Sequence, residues 1–451
     1  MLRAGWAATD ITPPVGVDLC GFGGRAGPSE GVHDPLLAKA LYLTDGQGRI
    51  ALATADLIGL DAGTVGEIRR RLAERLGNEA PALMVACSHT HSGPSTPCLP
   101  FLGVPDPAYM EDLTEALVGL VVEARERAVE ARVGFGQGEV QVGVNRRERT
   151  ADGQIVLGRN EAGTSAPYVD VMVVASREAS GATVSHSSLL STHSSAVFFS
   201  HAAHAVTLGG DNLLISADWP GYAHRFVEEA LGPGSVALFG QGCCGNINSD
   251  PRGSFDVAEA QGRAVAEAVT GALSGIALTD QAAVAASSAM LELPLGDPPS
   301  ADEAQAILEA AQRDLDANAA ADNYGMRLMR EGLVDWSQRL LALAEAGATG
   351  LTQPFEVQAL RIGDGAIVGL PGEVFVEYQH QIRACSPFAP TIVLGYANGN
   401  TGYVPTAEAF PEGGYEVDGA IKCYGTTMLT PECESLIVDG ACRLLNTLAG
   451  V

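Results

Sequence analysis

Apolar runs of strand length alternate with helically spaced apolar residues through most of this chain, and few folds accept that order. Residues 36–44 and 49–60 are apolar enough to be buried strands. Val65, Ile68, Leu72 and Leu76 then recur at helical spacing, and Gly77 suits the end of such a helix. Leu83 to Cys87 reads as the next strand, and 108–128 as an amphipathic helix on Leu113, Leu117, Leu120 and Ala124. Further strands are expected at 133–144, 168–176, 195–203 and 235–240, and helices at 219–231 and 254–274. The order breaks at 301–347, which reads as a helical hairpin between strands at 283–294 and 354–363. A strand at 365–370, a helix from about 373, a strand at 391–396 and a helix at 432–449 complete the pattern. The expected class is α/β, a layered mixed β-sheet core flanked by helices, with the hairpin near 301–347 as an insertion. Pro- and Gly-rich stretches at 12–32, 92–107 and 396–431 read as long loops, which in compact domains are usually functional.

Charge narrows the partners. The chain carries 27 Lys and Arg against 54 Asp and Glu, a net charge of −27. Such a chain repels nucleic-acid phosphates and anionic membrane surfaces. No apolar stretch reaches the roughly 18 residues of a transmembrane helix. The start, Met1 to Trp6, has no apolar core of a secretory signal. The nine cysteines are scattered, without a CxxC pair, and are expected to be mostly reduced thiols. Together these imply a cytoplasmic protein with no stable membrane anchor and no nucleic-acid partner.

Chemistry concentrates at strand ends, where open α/β sheets bind ligands. Ser88-His89-Thr90-His91-Ser92-Gly93-Pro94 follows the strand ending at Cys87. Its two histidines suit shared metal or proton work, or a turn whose imidazoles make ordinary hydrogen bonds. His204 lies just past the apolar run 196–199, with His201 beside it, and either can instead be a satisfied core histidine. His186, His193, His224 and His380 are read as surface or structural. Glu373 follows Leu370-Pro371-Gly372, either as a helix-capping carboxylate or as a third ligand beside the two histidine-bearing ends. The loop Gly240 to Asn248 lacks the ending of a phosphate-binding loop but offers backbone N–H donors. Its Cys243-Cys244 pair is read as inert. No GxSxG elbow is present.

In order along the chain, these pieces resemble the neutral/alkaline non-lysosomal ceramidase family. The resemblance rests on Gly5 to Pro14, Gly31 to Leu36, His89 to Pro94, Asn145-Arg146-Arg147, His204, Ile215 to Tyr222, Leu370 to Glu373, Ala397 to Tyr403 and Gly414 to Glu416. It implies a zinc amidohydrolase whose Zn²⁺ is held by His89, His204, Glu373 and Tyr403. His91, Arg146 and Tyr415 would then line the reaction centre, with His91 as proton carrier. Tyr403 is implied by the resemblance alone. Two departures stand out. Asn246 replaces a family acid, and Ala205 follows His204 where the family has proline. The chain also resembles the short bacterial branch without an immunoglobulin-like domain, which implies one catalytic domain over 1–451. The expected reaction is metal-activated hydrolysis of the carbon–nitrogen bond of an N-acyl amine or small amide. A lactone or ester hydrolase on the same site, or a binding homologue without catalysis, is the alternative. The hairpin at 301–347 is the candidate lid over a small-molecule or lipid-like substrate, and a homo-oligomer is compatible with the sequence. The acidic charge favours a soluble amide over membrane ceramide.

Overall fold

A computed structural model describes residues 1–97, 99, 101–177 and 195–451. His186 and His193 lie outside the described residues, as does Cys98. The strands, in chain order, are β1 (Arg3–Asp10), β2 (Gly31–Val32), β3 (Leu37–Thr44), β4 (Arg49–Ala55), β5 (Ala82–Cys87), β6 (Val129–Glu139), β7 (Gly143–Arg149), β8 (Ile155–Asn160), β9 (Tyr168–Ser176) and β10 (Ser195–His201). They continue with β11 (Leu214–Ile215), β12 (Val236–Gln241), β13 (Ile247–Ser249), β14 (Val284–Pro294), β15 (Thr352–Ile362), β16 (Gly365–Gly369), β17 (Glu373–Val374), β18 (Thr391–Leu394) and β19 (Tyr403–Val404). The helices are α1 (Ala62–Leu76), α2 (Pro107–Glu126), α3 (Asp218–Leu231), α4 (Phe255–Leu273), α5 (Ala301–Asn318), α6 (Tyr324–Glu345), α7 (Val376–Cys385), α8 (Ile421–Tyr424) and α9 (Cys433–Ala449).

Two sheets stack between helices. The larger runs β12-β10-β9-β6-β1-β3-β4-β5, with β4–β5 and β10–β12 parallel and the other pairs antiparallel. The smaller runs β14-β15-β16-β18, with β16 and β18 parallel. Successive strand residues face opposite ways. Met84, Ala86, Ala196 and Phe198 therefore meet Ile367, Ile392 and Leu394 of the second sheet in one core. Leu83, Val85, Val197 and Phe199 turn the other way, to pack with residues of α1 to α4. The far face of the small sheet, through Ala366 and Val368, packs with residues of α7 and α9. Four layers result: helices, sheet, sheet, helices. Both faces of these strands are buried, which is why their sequences are continuous apolar runs.

The structure bears out the α/β class and the hairpin, which is α5 and α6. Three local expectations change. The run 49–60 stops being strand at Ala55, although Leu57, Ile58 and Leu60 stay buried in the turn before α1. The segment 133–144 divides, because β7 leaves the main sheet to pair with β8 and β13. Glu373 does not open a helix. Gly372, at φ +142°, reverses the chain, Glu373 enters β17 beside β19, and α7 begins only at Val376.

The thiol expectation also divides. Cys20, Cys87, Cys243, Cys244, Cys423 and Cys433 are free thiols, whereas Cys385 and Cys442 form a disulfide joining α7 to α9. Disulfides persist in oxidising compartments, so the cytoplasmic expectation loses the support it took from reduced cysteines. Among the described residues, no helix is long and apolar enough to cross a membrane.

Candidate metal centre

The site lies at the seam between the two sheets. The chain leaves β5 at Cys87 and turns at His89, which has φ +60°. The chain leaves β18 at Leu394 and turns at Tyr396, with φ +52°. Positive φ is rare for residues with side chains and persists only where the surroundings enforce it. The two turns enforce each other: Cys87 N donates to Tyr396 O at 3.2 Å, and Asn398 N donates to Val85 O at 2.7 Å. The His89 and Tyr396 rings stack with centroids 4.0 Å apart.

Backbone carbonyls orient the imidazoles. His89 Nδ1 is 2.6 Å from Ile58 O, and His204 Nδ1 is 2.7 Å from Cys244 O and 3.0 Å from Ile247 O. A carbonyl can only accept, so each Nδ1 carries a hydrogen and each ring turns its Nε2 inward. His91 Nε2 lies 3.1 Å from His89 Nε2. The ligating atoms of His89, His91 and His204 all fall within 4.8 Å of one another. Glu373 Oε2 approaches His204 Nε2 at 3.0 Å and His89 Nε2 at 3.6 Å. Ring nitrogens and a carboxylate oxygen converging in a buried site are held together by a shared proton or by a cation among them. Tetrahedral zinc with N and O ligands at about 2.0–2.2 Å spaces its donors by roughly 3.3 Å, so the donor set fits a zinc-sized ion. A carbonyl bond on the far side of a ligating histidine is the usual support for such a site.

Charge follows the same geometry. Burial raises the pKa of the Glu373 carboxyl, but His89 and His204 outweigh it and hold the group well below 4.5. Burial, together with neighbouring Arg146, lowers His204 to about 4. Burial and the two adjacent imidazoles push His91 well below 6.5.

Each expected residue has a place. Glu373 and Tyr403 are register partners in the parallel pair β17–β19, and Tyr403 contacts both Glu373 and Arg146. Arg146 is buried. Its Nε donates to Glu416 Oε1 at 2.8 Å, and its Nη1 donates to Asn248 Oδ1 at 3.1 Å and lies 3.4 Å from His204 Nε2. Its Nη2 is buried with no hydrogen-bond partner. Tyr415 lies at the rim, 39 % exposed, with its ring 5.7 Å from that of Tyr403 and 5.8 Å from the Arg146 guanidinium carbon. His201 stays apart. Its Nδ1 bonds Tyr168 O at 2.8 Å and its ring abuts Trp219. His224 joins Lys39 and Asp56 in a buried network, and His380 bonds Ser165 O.

The loop 240–248 supplies the carbonyls behind His204 and the Asn248 contact to Arg146. Asn246 is structural, accepting from Val376 N and donating to Glu377. Burial raises the Cys243 and Cys244 thiols far above their usual range, so neither is a nucleophile at neutral pH. Sequence reasoning gave no role to Tyr396, Tyr424 or Glu416. Tyr396 OH lies 3.4 Å from Glu373 Oε2, Tyr424 OH donates to Glu373 Oε1, and Glu416 pairs with Arg146 and Arg147. Glu416 lies within the Gly414 to Glu416 stretch that carried the resemblance.

The sequence model of the neutral/alkaline non-lysosomal ceramidase family, N-terminal part, matches residues 2–268. The chain belongs to this family. That match contains His89, His91, Arg146 and His204 of the candidate centre, and stops before Glu373. Neutral ceramidase of Drosophila melanogaster is 25% identical over 263 residues, covering 54% of this chain and 35% of that protein. The Drosophila pseudoobscura pseudoobscura protein is 24% identical over 267 residues, with the same coverage. The chain thus spans about a third of the length of the curated relatives it matches. The crystal structure of neutral ceramidase from Pseudomonas aeruginosa superposes with TM-score 0.71 at 18% identity, covering 100% of this ceramidase-family chain and 74% of that one. A ceramidase complexed with C2 gives TM-score 0.73 at 18% identity, with 100% and 75% covered. At that identity the likeness establishes the fold.

Proposed function

We propose that this chain is a zinc-dependent amidohydrolase that cleaves the carbon–nitrogen bond of an N-acyl amine, working as one catalytic unit over residues 1–451. The reading is carried by the inward convergence of the His89 and His204 Nε2 atoms on Glu373 Oε2. Family membership and the ceramidase names of its relatives support an amide with a lipid-like acyl chain. The net charge of −27 supports delivery of that amide in solution rather than from an anionic bilayer.

His89, His204, Glu373 and Tyr403 would hold the zinc. When bound, zinc would supply Lewis acidity toward the amide carbonyl and make a water molecule more acidic. Arg146 is fixed by Glu416 and Asn248, and its unpartnered Nη2 is the donor available to charge developing on the carbonyl oxygen. Tyr415, at the rim, adds a hydroxyl on the approach side. His91 sits against His89 and carries the proton to the departing amine through its imidazole. The buried Tyr396 ring, stacked on His89, excludes water from that side.

The test combines metal analysis with a screen of N-acyl amines, small amides and lactones read by product mass. About one zinc per chain and amide turnover are expected, and His89→Ala and Glu373→Ala should each abolish both. Turnover of lactones alone would move the reaction to carbon–oxygen bonds. Full activity in both variants would overturn the site.

A further inference from the structure

Glu373 is held by both of its oxygens, from different directions. Oε2 faces the imidazoles, at 3.0 Å from His204 Nε2 and 3.6 Å from His89 Nε2. Oε1 accepts the hydroxyl of Tyr424. A carboxylate free to rotate about its terminal torsion presents either oxygen, or both, to an ion. A donor fixed on Oε1 removes that freedom and leaves Oε2 as the presented atom. Carboxylates that bind metals depend on such outer partners.

Tyr424 is the last residue of α8, a helix of four residues that closes at Gly425 with φ +71°. One helical turn does not hold its own shape in water. Its support comes from α6, in the hairpin. Trp336 Nε1 donates to Thr426 O at 3.0 Å, and Lys422 Nζ sits 5.9 Å from the centre of the Trp336 ring. A Cβ at Gly425 would lie 3.1 Å from the Arg339 guanidinium, so α6 presses directly on the turn. On the other side, Gly402 leaves room for the Tyr424 ring, and the Tyr403 ring meets it edge-on at 6.3 Å. The first turn of α6 reaches the opposite wall of the site. Gly325 N donates to Arg25 O at 2.9 Å, and the Arg25 guanidinium donates to the backbone carbonyl of His91.

We propose that Tyr424 is a positioning residue for the metal-facing carboxylate. Its hydroxyl holds Oε1 of Glu373 so that Oε2 is presented to the ion, and α6 fixes the place from which it does so. The hairpin is then a splint for the metal centre. This inference rests on the zinc reading above and deepens it.

The test measures zinc affinity by competition with a chromophoric chelator, and melting of the metal-stripped protein, for wild type, Tyr424→Phe, Trp336→Phe and Glu373→Ala. Tyr424→Phe keeps the ring and removes the donor. It should weaken zinc about 10-fold or more while the metal-stripped protein melts as wild type does. Trp336→Phe should weaken zinc in the same direction by a smaller factor. On a turned-over amide, Tyr424→Phe should lower kcat with KM nearly unchanged at saturating zinc. Wild-type zinc affinity in Tyr424→Phe, with affinity lost in Glu373→Ala, overturns the inference and leaves the zinc reading standing. Lowered melting with unchanged zinc affinity makes Tyr424 a packing residue and also overturns it. Wild-type affinity in Glu373→Ala overturns both. If Tyr424→Phe fails to fold, Trp336→Phe decides alone, and unchanged affinity there counts against the inference.

Discussion

His89 and His204 each spend one ring nitrogen on a backbone carbonyl, and that fixes what the other nitrogen can do. Sequence spacing placed both histidines at strand ends but could not assign their tautomers, because the carbonyls of Ile58 and Cys244 come from segments far away in the chain. Glu373 was legible as a strand-end carboxylate. Tyr403 was visible only through family resemblance, and Tyr396 and Tyr424 had no assigned role, since nothing local separates them from the other eight of ten tyrosines. Arg146→Lys removes the forked donor set, so kcat should fall by about 10²–10³ with a smaller change in KM, read by steady-state kinetics. His201, buried away from the metal centre, has its pKa lowered by burial from 6.5 to about 4. It binds its proton more readily unfolded than folded, so its contribution is fully present above about pH 6.5 and is lost as pH falls toward 4. The loss should be roughly 3 kcal/mol across that window. Denaturant titrations of wild type and His201→Gln at pH 7 and 4.5 should find a flatter pH dependence in the variant.

At the level of elements, the strands buried on both faces were legible because a continuous apolar run has few other places to go. β17 and β19 were not, because two-residue strands carry no periodicity, and Pro371-Gly372 reads equally well as a helix entry. The segment after Tyr403 is tied by side chains, with Arg147 bonded to Glu412 and Glu416, and such cross-chain pairs leave no trace in spacing. The disulfide between α7 and α9 closes a sequence separation of 57 residues. Cys385→Ser should lower unfolding free energy by about 2–4 kcal/mol, seen as a lower denaturant midpoint, with zinc content unchanged.

Over the whole molecule, the excess of acid acts at longer range than any contact. Binding to vesicles rich in anionic lipid should be weak at low salt and rise as salt screens the repulsion, as sedimentation would measure. Faster hydrolysis of ceramide in such vesicles than of a short-chain N-acyl amine in solution would overturn the proposal of a soluble substrate. Removing the metal with a chelator should lower the melting temperature, since an ion held between the histidines of the large sheet and Glu373 of β17 would bind the folded chain in preference to the unfolded one.

The seam between the sheets also bears on how the protein is made. His204 and Glu373 stand 169 residues apart in sequence, and they meet only where β10 of one sheet and β17 beside the other have come together. While the chain is emerging from a ribosome, the histidines of the first sheet are synthesised long before their carboxylate. No early fragment owns the complete centre, so an ion that needs all of these donors would be held only once both halves have assembled.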